Sequence, residues 1–363
     1  MRLLIAGGGT GGHVAPALAV AHAWAEPQSG EVLFVGAQGG LEERMVPPTG
    51  YPLELLKTSG IKGLGPLSRL LALVRIVPAL WRSLKIQRRF NPSVVLGVGG
   101  YASAPAMLAA FIGRRPRVIL EPNSIPGLTN RLLSRVAQRA CVHFSSTAQR
   151  LGAIKSVHTG NPIRPDIAAA AKTPEAIEGL RSLLVFGGSQ GARTINRAAC
   201  GALGLLAAEG FKPNVRHQAG GLDLEQVRAD YRDAGLEIEV EPFIDDMAAA
   251  YSAADLAICR AGASAVSELA AVGLPSILVP YPYAADDHQT GNARELAQSG
   301  AAILLSDEQC TARRLAELIR ELSADPQRLR SMSRAALELG RPDAAQRVAD
   351  VCQGLAKGGD DVR

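Results

Sequence analysis

A histidine at the exit of a glycine loop is the first residue here whose type and place suit chemistry: residues 3–17 read LLIAGGGTGGHVAPA. Leu3 to Ala6 form a short apolar run that reads as a buried strand bounded by a turn. Gly7, Gly8, Gly9, Gly11 and Gly12 let backbone N–H groups come close to a bound group, and the stretch from His13 onward reads as a helix start. Such a loop suits an anion. An imidazole at its edge suits proton transfer near neutrality, since a helix N-terminus disfavours imidazolium and keeps the ring able to accept a proton. The alternative is a histidine that only caps its helix or touches a bound diphosphate.

The elements that must hold this loop are legible in a repeat. LLIAGGGTGGH meets LLVFGGSQGAR further on, so that Leu3, Leu4, Gly7, Gly8 and Gly11 correspond to Leu183, Leu184, Gly187, Gly188 and Gly191. Each copy reads as strand, glycine loop and helix-like run. Other apolar runs (EVLFVGAQGG from 31, SVVLGVGGY from 93, RVILEPN from 117, ACVHF from 140, IEVEPFI from 238, DLAICRAGAS from 255, PSILVPYP from 275) alternate with helix-length spacers. That alternation predicts βαβ units and parallel sheets. The expected fold is α/β, with two doubly wound domains and VHTGNPIRPDI (157–167) as linker. Ligands of such sheets sit at the carboxyl ends of the strands, where both glycine loops lie, so the cleft between the halves is the expected site.

Composition removes several classes. The chain has 363 residues, 47% hydrophobic but 4% aromatic, with 38 Gly and 22 Pro, which fits a soluble α/β protein rich in turns. A formal charge of +5 falls short of a nucleic-acid binder's excess. Cys141, Cys200, Cys259, Cys310 and Cys352 form no CxxC pair, which predicts a reducing compartment and no metal framework. No apolar stretch reaches ~18 residues, so no membrane span is expected. Gly7, Gly9 and Gly12 spell the dinucleotide fingerprint, but the second strand ends in Gly36, Ala37 and Gln38 with no acid for a ribose, and Glu42 stands too far along. His13 and Val14 occupy the places where a Walker loop needs Lys and Ser or Thr, which removes the triphosphatase reading.

The segments GGGTGGHVAPALA, GVGGYASAP, EPNSIPGLTNR, GNPIR, GGSQGA, CRAGASAVSELAAVGLPSILVP and DDHQTGNA occur in that order. Together they closely resemble the bacterial peptidoglycan N-acetylglucosaminyltransferases that convert lipid I into lipid II. The resemblance runs from residue 2 to about 340 and implies two Rossmann-like domains in the GT-B arrangement. It implies an acceptor-binding, membrane-associating domain at 1–160, completed by a C-terminal helix at 341–363, and a UDP-sugar-binding domain at 161–340. It implies an inverting transfer from UDP-N-acetylglucosamine to a lipid-linked muramoylpentapeptide, at the cytoplasmic face of the inner membrane, with no cofactor required. His13 would be the catalytic base. Donor-binding residues would be Thr10, Gly11, Gly12, Asn123, Arg164, Ser189, Ile244, Ala263, Ser264, Ala265, Val266, Ser267, Glu268, Gln289 and Asn292. Gly99, Gly100 and Tyr101 would lie on the acceptor side. One departure is Pro122, which stands where the family usually has Gln and removes a side-chain donor beside Asn123. The two-domain plan and the donor are shared with UDP-N-acetylglucosamine 2-epimerases, which remain an alternative, as does transfer to another lipid.

The chemistry of such a transfer fits these residue types. A departing diphosphate must be stabilised, and the Asp-x-Asp pair by which metal-dependent transferases hold a divalent ion is absent. Fixed dipoles at helix N-termini then take that role. GGSQGA supplies one terminus with the Ser189 hydroxyl, or a serine in a tight turn; AGASAVSE supplies another, with Glu268 a turn or two on, as ribose ligand by resemblance or as a surface carboxylate. Arg164 and Arg260 can offset diphosphate charge or be surface arginines. Gln289 and Asn292 offer amides of the kind sugar hydroxyls favour, with His288 as their neighbour. In LSRLLALVRIVPALWRSLKIQRRF (67–90), Leu70, Leu73, Val74, Val77, Leu80, Trp81 and Leu84 share a helical face beside Arg75, Arg82, Lys85 and Arg89. Pro78 is expected to kink the run or start a new helix. That face either packs on the core or, with Val77, Trp81, Arg82 and Lys85, contacts an anionic membrane surface.

Overall fold

The protein is described by a computed structural model over residues 1–9, 11–25, 30–57, 66–188 and 190–358, without the side chains of 66–75. The chain divides into two compact units: Met1–Arg164 with the segment from Pro342 onward, and Pro165–Arg341.

In the first unit, β1 (Arg2–Gly7), β2 (Glu31–Ala37), β3 (Leu53–Leu56), β4 (Val94–Gly99), β5 (Arg117–Glu121), β6 (Arg139–Val142) and β7 (Ser156–His158) form a seven-stranded parallel sheet ordered β3-β2-β1-β4-β5-β6-β7. Its central strands β1, β4 and β5 are rich in Leu, Ile and Val because both faces of the sheet are covered there. Leu3, Ile5 and Leu96 turn to a layer holding Trp24 of α1 (Gly11–Ala25) and Val348, Cys352 and Leu355 of the C-terminal helix Ala344–Ala356. Leu4, Val95 and Ile119 turn to the opposite layer, where α2 (Pro66–Phe90) contributes Ile86 and α3 (Ser103–Ile112) contributes Met107.

Helix α2 departs from its sequence pattern. It runs unbroken through Pro78, which is exposed, so that water can solvate the carbonyl a proline strands. Ala79, Ser83, Ile86 and Gln87 are buried, while Val77 and Trp81 are each 60% exposed, so the packed face is offset from the predicted apolar stripe. Gln87 Nε2 donates to the Ala106 carbonyl at 2.7 Å, which ties α2 to α3. The basic edge is partly neutralised, since Arg82 and Arg89 both pair with Glu54 and Lys85 lies over the Trp81 ring, 3.4 Å from its centroid. The side chains of Leu70, Leu73, Val74 and Arg75 lie outside the described residues.

In the second unit, β8 (Ser182–Phe186), β9 (Asn214–Gln218), β10 (Glu239–Glu241), β11 (Leu256–Cys259), β12 (Ser276–Leu278) and β13 (Ala302–Leu304) form a six-stranded parallel sheet ordered β10-β9-β8-β11-β12-β13. In each sheet the strand order reverses at one place, beside β1 and beside β8. Both glycine loops leave their sheets there, at the switch point where open α/β sheets bind ligands.

Candidate active site

In the first unit two glycine loops cross at van der Waals contact. A Cβ on Gly7 (φ +145°) would stand 2.3 Å from the Gly99 carbonyl oxygen, and one on Gly100 (φ +79°) 2.1 Å from that of Gly8. Only glycine fits at either crossing. The His13 ring lies against the same segment: a Cβ on Gly99 would meet its Nε2 at 3.0 Å and the Asn130 Nδ2 at 3.7 Å. Asn130, on α4 (Leu128–Leu133), donates Nδ2 to the Leu120 carbonyl at 2.9 Å and to Glu121 Oε2 at 3.0 Å. Glu121 is buried and also accepts from the Asn123 and Gly127 N–H groups and from Asn123 Nδ2. Burial pushes its carboxyl above the ordinary range, against the downward pull of those bonds. Tyr101 stands exposed beside this cluster's Gly100.

The anion held by this first loop is its own. Glu42, 1% exposed, accepts the Gly9 N–H on Oε2 at 2.8 Å and the Ala37 N–H on Oε1 at 2.7 Å. A Cβ on Gly8, Gly36 or Gly40 would come within 2.4 Å of its side chain. The sequence reading set Glu42 aside as a ribose ligand. Gly36 and Gly40 beside it are the signal in the sequence, since each leaves the room the Glu42 side chain fills.

In the second unit the loop 187–192 is braced from β9. Gln218 Nε2 donates to the Gly188 carbonyl at 2.7 Å, and a Cβ on Gly191 would stand 2.0 Å from the Ala219 carbonyl oxygen. Asn196 of α5 (Arg193–Ala208) donates to the Ala219 carbonyl at 2.9 Å and to Asp223 Oδ2 at 3.3 Å. Behind it His217 is fully buried, and that burial lowers its pKa to about 4. The neutral ring donates Nε2–H to Asn196 Oδ1 (3.1 Å) and accepts the Tyr231 hydroxyl proton on Nδ1 (2.7 Å). The β11 loop is fastened to α5 through Asp307, which accepts Arg260 Nη1 at 2.5 Å and the Thr194 hydroxyl at 3.1 Å. Tyr251, on α6 (Met247–Ala253), donates its hydroxyl to Glu268 Oε2 at 2.8 Å. Glu268 belongs to α7 (Ala263–Val272), whose N-terminal residue Gly262 provides no side-chain cap. Gln289, on α8 (His288–Gln298), accepts the Tyr281 N–H on Oε1 at 2.9 Å, which leaves its NH2 group to donate elsewhere.

Residues 3–142 match the glycosyltransferase family 28 N-terminal domain, and residues 182–348 match the glycosyltransferase family 28 C-terminal domain. A protein of Alkalilimnicola ehrlichii named UDP-N-acetylglucosamine--N-acetylmuramyl-(pentapeptide) pyrophosphoryl-undecaprenol N-acetylglucosamine transferase is 49% identical over 97% of this chain and 98% of its own. The chain belongs to this transferase family. Among solved structures, Acinetobacter baumannii MurG is similar at a TM-score of 0.80 and 35% identity, covering 97% of this chain and 99% of its own. The fold is that of the GT-B glycosyltransferases. A UDP-GlcNAc 2-epimerase from Neisseria meningitidis shares that fold at a TM-score of 0.70 and 14% identity, covering 96% of this chain and 99% of its own.

The residues expected to serve this transferase family fall into distinct positions. Gly11, Gly12 and His13 open α1, and Gly99, Gly100, Tyr101 and Asn123 lie in the same unit. Arg164 is exposed at that unit's end. Ala263, Ser264, Ala265, Val266, Ser267 and Glu268 share the first turns of α7. Ile244 and Val266 are buried, side chain and backbone alike. Ser267 donates its hydroxyl back to the Ala263 carbonyl, and Asn292 Nδ2 braces the Ala261 carbonyl at 3.2 Å. Ser264 Oγ is buried with no hydrogen-bond partner among the described residues. Thr10 and Ser189 lie outside the described residues. Among those residues no group of three or more His, Cys, Asp or Glu is placed to share a metal ion, and no helix is long and apolar enough to cross a membrane. Tyr251, Asp307, Gln218 and Asn130 were not found by sequence reasoning, because each works through a partner distant in the chain.

Proposed function

We infer that this chain transfers N-acetylglucosamine from UDP-N-acetylglucosamine to the 4-hydroxyl of the muramoyl sugar in undecaprenyl-diphospho-muramoylpentapeptide, converting lipid I to lipid II. The observation that carries this reading is 49% identity to a transferase of that name over nearly the whole of both chains. The direct test supplies labelled UDP-N-acetylglucosamine and a muramoylpentapeptide diphosphoryl lipid, and expects labelled lipid that depends on both. An epimerase would turn over the donor alone.

We assign the roles to each unit separately. The donor side belongs to residues 165–341: the uncapped N-terminus of α7 and the loop 187–192 face the diphosphate, Glu268 the ribose, and Gln289 the sugar. Fixed dipoles there stand in for a divalent ion in this proposal, which predicts activity in the presence of a chelator. Arg164, exposed at the end of the first unit, and Arg260, which pairs with Asp307, are the guanidinium groups offered to the diphosphate charge. The acceptor side belongs to the first unit, around Gly99, Gly100 and Tyr101, with His13 as base. In a single displacement the acceptor oxygen bonds the anomeric carbon, the bond to UDP breaks, and the acceptor proton passes to His13. The His13 ring against Gly99 supports that role, since it sits where the two glycine loops cross.

Peripheral attachment to the cytoplasmic face of the inner membrane completes the proposal. Its support is an apolar surface on neighbouring helices: Val77 and Trp81 on α2, with Phe111 and Ile112 at the end of α3. Arg88 and Lys85 flank it, and Glu54 tempers the charge of Arg82 and Arg89. An apolar patch with a basic rim suits an anionic headgroup layer more than bulk water.

A further inference from the structure

We propose that Tyr251 is a positioning residue that orients Glu268 for the ribose hydroxyls of the uridine nucleotide, an inference that rests on the reading of Glu268 as the ribose ligand. The carboxylate of a glutamate hangs on three rotatable bonds, and on a half-buried helix face it has several staggered positions to choose from. Bidentate recognition of a cis-diol needs one of them. Tyr251 selects it: its hydroxyl meets Glu268 Oε2 at 2.8 Å, from a neighbouring helix and not from the turn below. The tyrosine cannot follow the carboxylate if that swings away. Its side chain has no exposed surface, and its ring packs edge-on to Phe186 at a centroid distance of 6.0 Å and 69°. Phe186 is the last residue of β8, directly before Gly187, so one side chain relates the strand that launches the glycine loop to the carboxylate on α7. Helix α6 is itself fixed at its start, where Asp246 accepts the Ala249 N–H at 2.9 Å.

A buried tyrosine that served packing alone would tolerate loss of its hydroxyl without regard to the nucleotide's sugar. The positioning role makes the effect depend on that sugar. The experiment is calorimetric titration of the full-length protein, Tyr251→Phe and Glu268→Gln with UDP, 2′-deoxy-UDP and 3′-deoxy-UDP. Because a hydrogen bond to a charged group is the interaction removed, Tyr251→Phe should weaken UDP about five- to twentyfold and the deoxy nucleotides less than about twofold. In transfer assays its KM for the donor should rise in the same proportion, with kcat within about threefold of wild type. The preference for UDP over its deoxy analogues is a ratio taken within one folded sample, so a loss of folded fraction cancels from it. Equal weakening of all three nucleotides, or no weakening, would overturn the positioning role. If Glu268→Gln keeps the full preference for UDP, the ribose reading of Glu268 falls, and the proposal falls with it. If Glu268→Gln abolishes that preference while Tyr251→Phe keeps it, only the proposal fails.

Discussion

Replacing Glu42 tests whether the first glycine loop is held by an internal carboxylate. The residue is 1% exposed and each of its oxygens accepts one backbone N–H, from Gly9 at 2.8 Å and from Ala37 at 2.7 Å. Glu42→Ala leaves the buried Ala37 N–H unsatisfied, at about 1–3 kcal/mol, frees the Gly9 N–H, which is exposed enough to turn to water, and opens a polar cavity. The expected destabilisation is about 2–3 kcal/mol. Glu42→Gln fills the same volume, so no water enters, but its NH2 group faces one of the two N–H donors. The near-isosteric amide should therefore cost about as much as alanine, roughly 2–3 kcal/mol, where a merely space-filling glutamate would lose almost nothing on this change. Both tryptophans lie in the first unit, Trp24 buried and Trp81 exposed, so fluorescence-monitored urea unfolding reports on that unit. Hydrogen exchange at the Gly9 and Ala37 amides should quicken in both variants. A Gln variant within about 0.5 kcal/mol of wild type, with those amides still protected, would refute the reasoning.

Three further outcomes are expected. His13→Ala should lower turnover by about 10²–10³ with donor affinity nearly unchanged; a rate change below about threefold, or an equal loss of UDP affinity, counts against the base. Replacing Val77 and Trp81 by Ser should abolish flotation with anionic vesicles while shifting unfolding by less than about 1 kcal/mol, because both side chains are 60% exposed; a large stability loss with intact flotation would return them to the core. Stability should fall as pH drops below about 6.5 and level off near 4, by about 3 kcal/mol in all from His217, because burial lowers its pKa to about 4 and the unfolded chain takes up the proton first. His217→Gln should remove that part of the slope, and an unchanged pH profile of unfolding would sink the assignment.

Most strands legible in the sequence are buried on both faces, β10 with its pattern of one buried residue between two glutamates being an exception. β1, β4, β5, β8 and β11 are apolar runs long enough to read without a partner, and their spacing implied the parallel sheets. β9 was not legible, since NVRHQ carries an arginine, a histidine and a glutamine in five residues. Those polar side chains are accounted for only by what they reach: Arg216 pairs with Glu241, His217 joins Asn196 to Tyr231, and Gln218 holds the Gly188 carbonyl. The same limit applied to α2. A helical wheel distributes apolar residues around an axis but says nothing of which arc meets the sheet, and the arc that does so centres on Ala79, Ser83 and Ile86. Of the candidate site, the glycine loops and Glu268 were legible as types at spacings. The side chains that orient them were not, because their partners are set by the fold.

The two glycine loops look interchangeable in sequence, and electrostatics separates them. The first already faces a buried carboxylate: the Gly9 N–H that a diphosphate would need is donated to Glu42, and Glu42 has no cation partner among the described residues. A phosphate brought to about 4 Å from that carboxylate would meet a repulsion of about 4 kcal/mol per unit charge pair at an effective dielectric of about 20, roughly a thousandfold in affinity. Around the second loop Asp223 is matched to Arg193 and Asp307 to Arg260. A diphosphate at that loop would meet helix dipoles with both of these acids already matched to cations. This asymmetry supports the proposed assignment of the nucleotide to the second copy, with the first copy and its histidine left for a neutral acceptor hydroxyl. Glu42→Gln probes the same point from the other side. With the charge gone and the shape kept, the first loop should gain weak affinity for pyrophosphate, detectable by titration and absent from wild type in that unit. If the variant gains none, repulsion from Glu42 is not a basis for the proposed assignment.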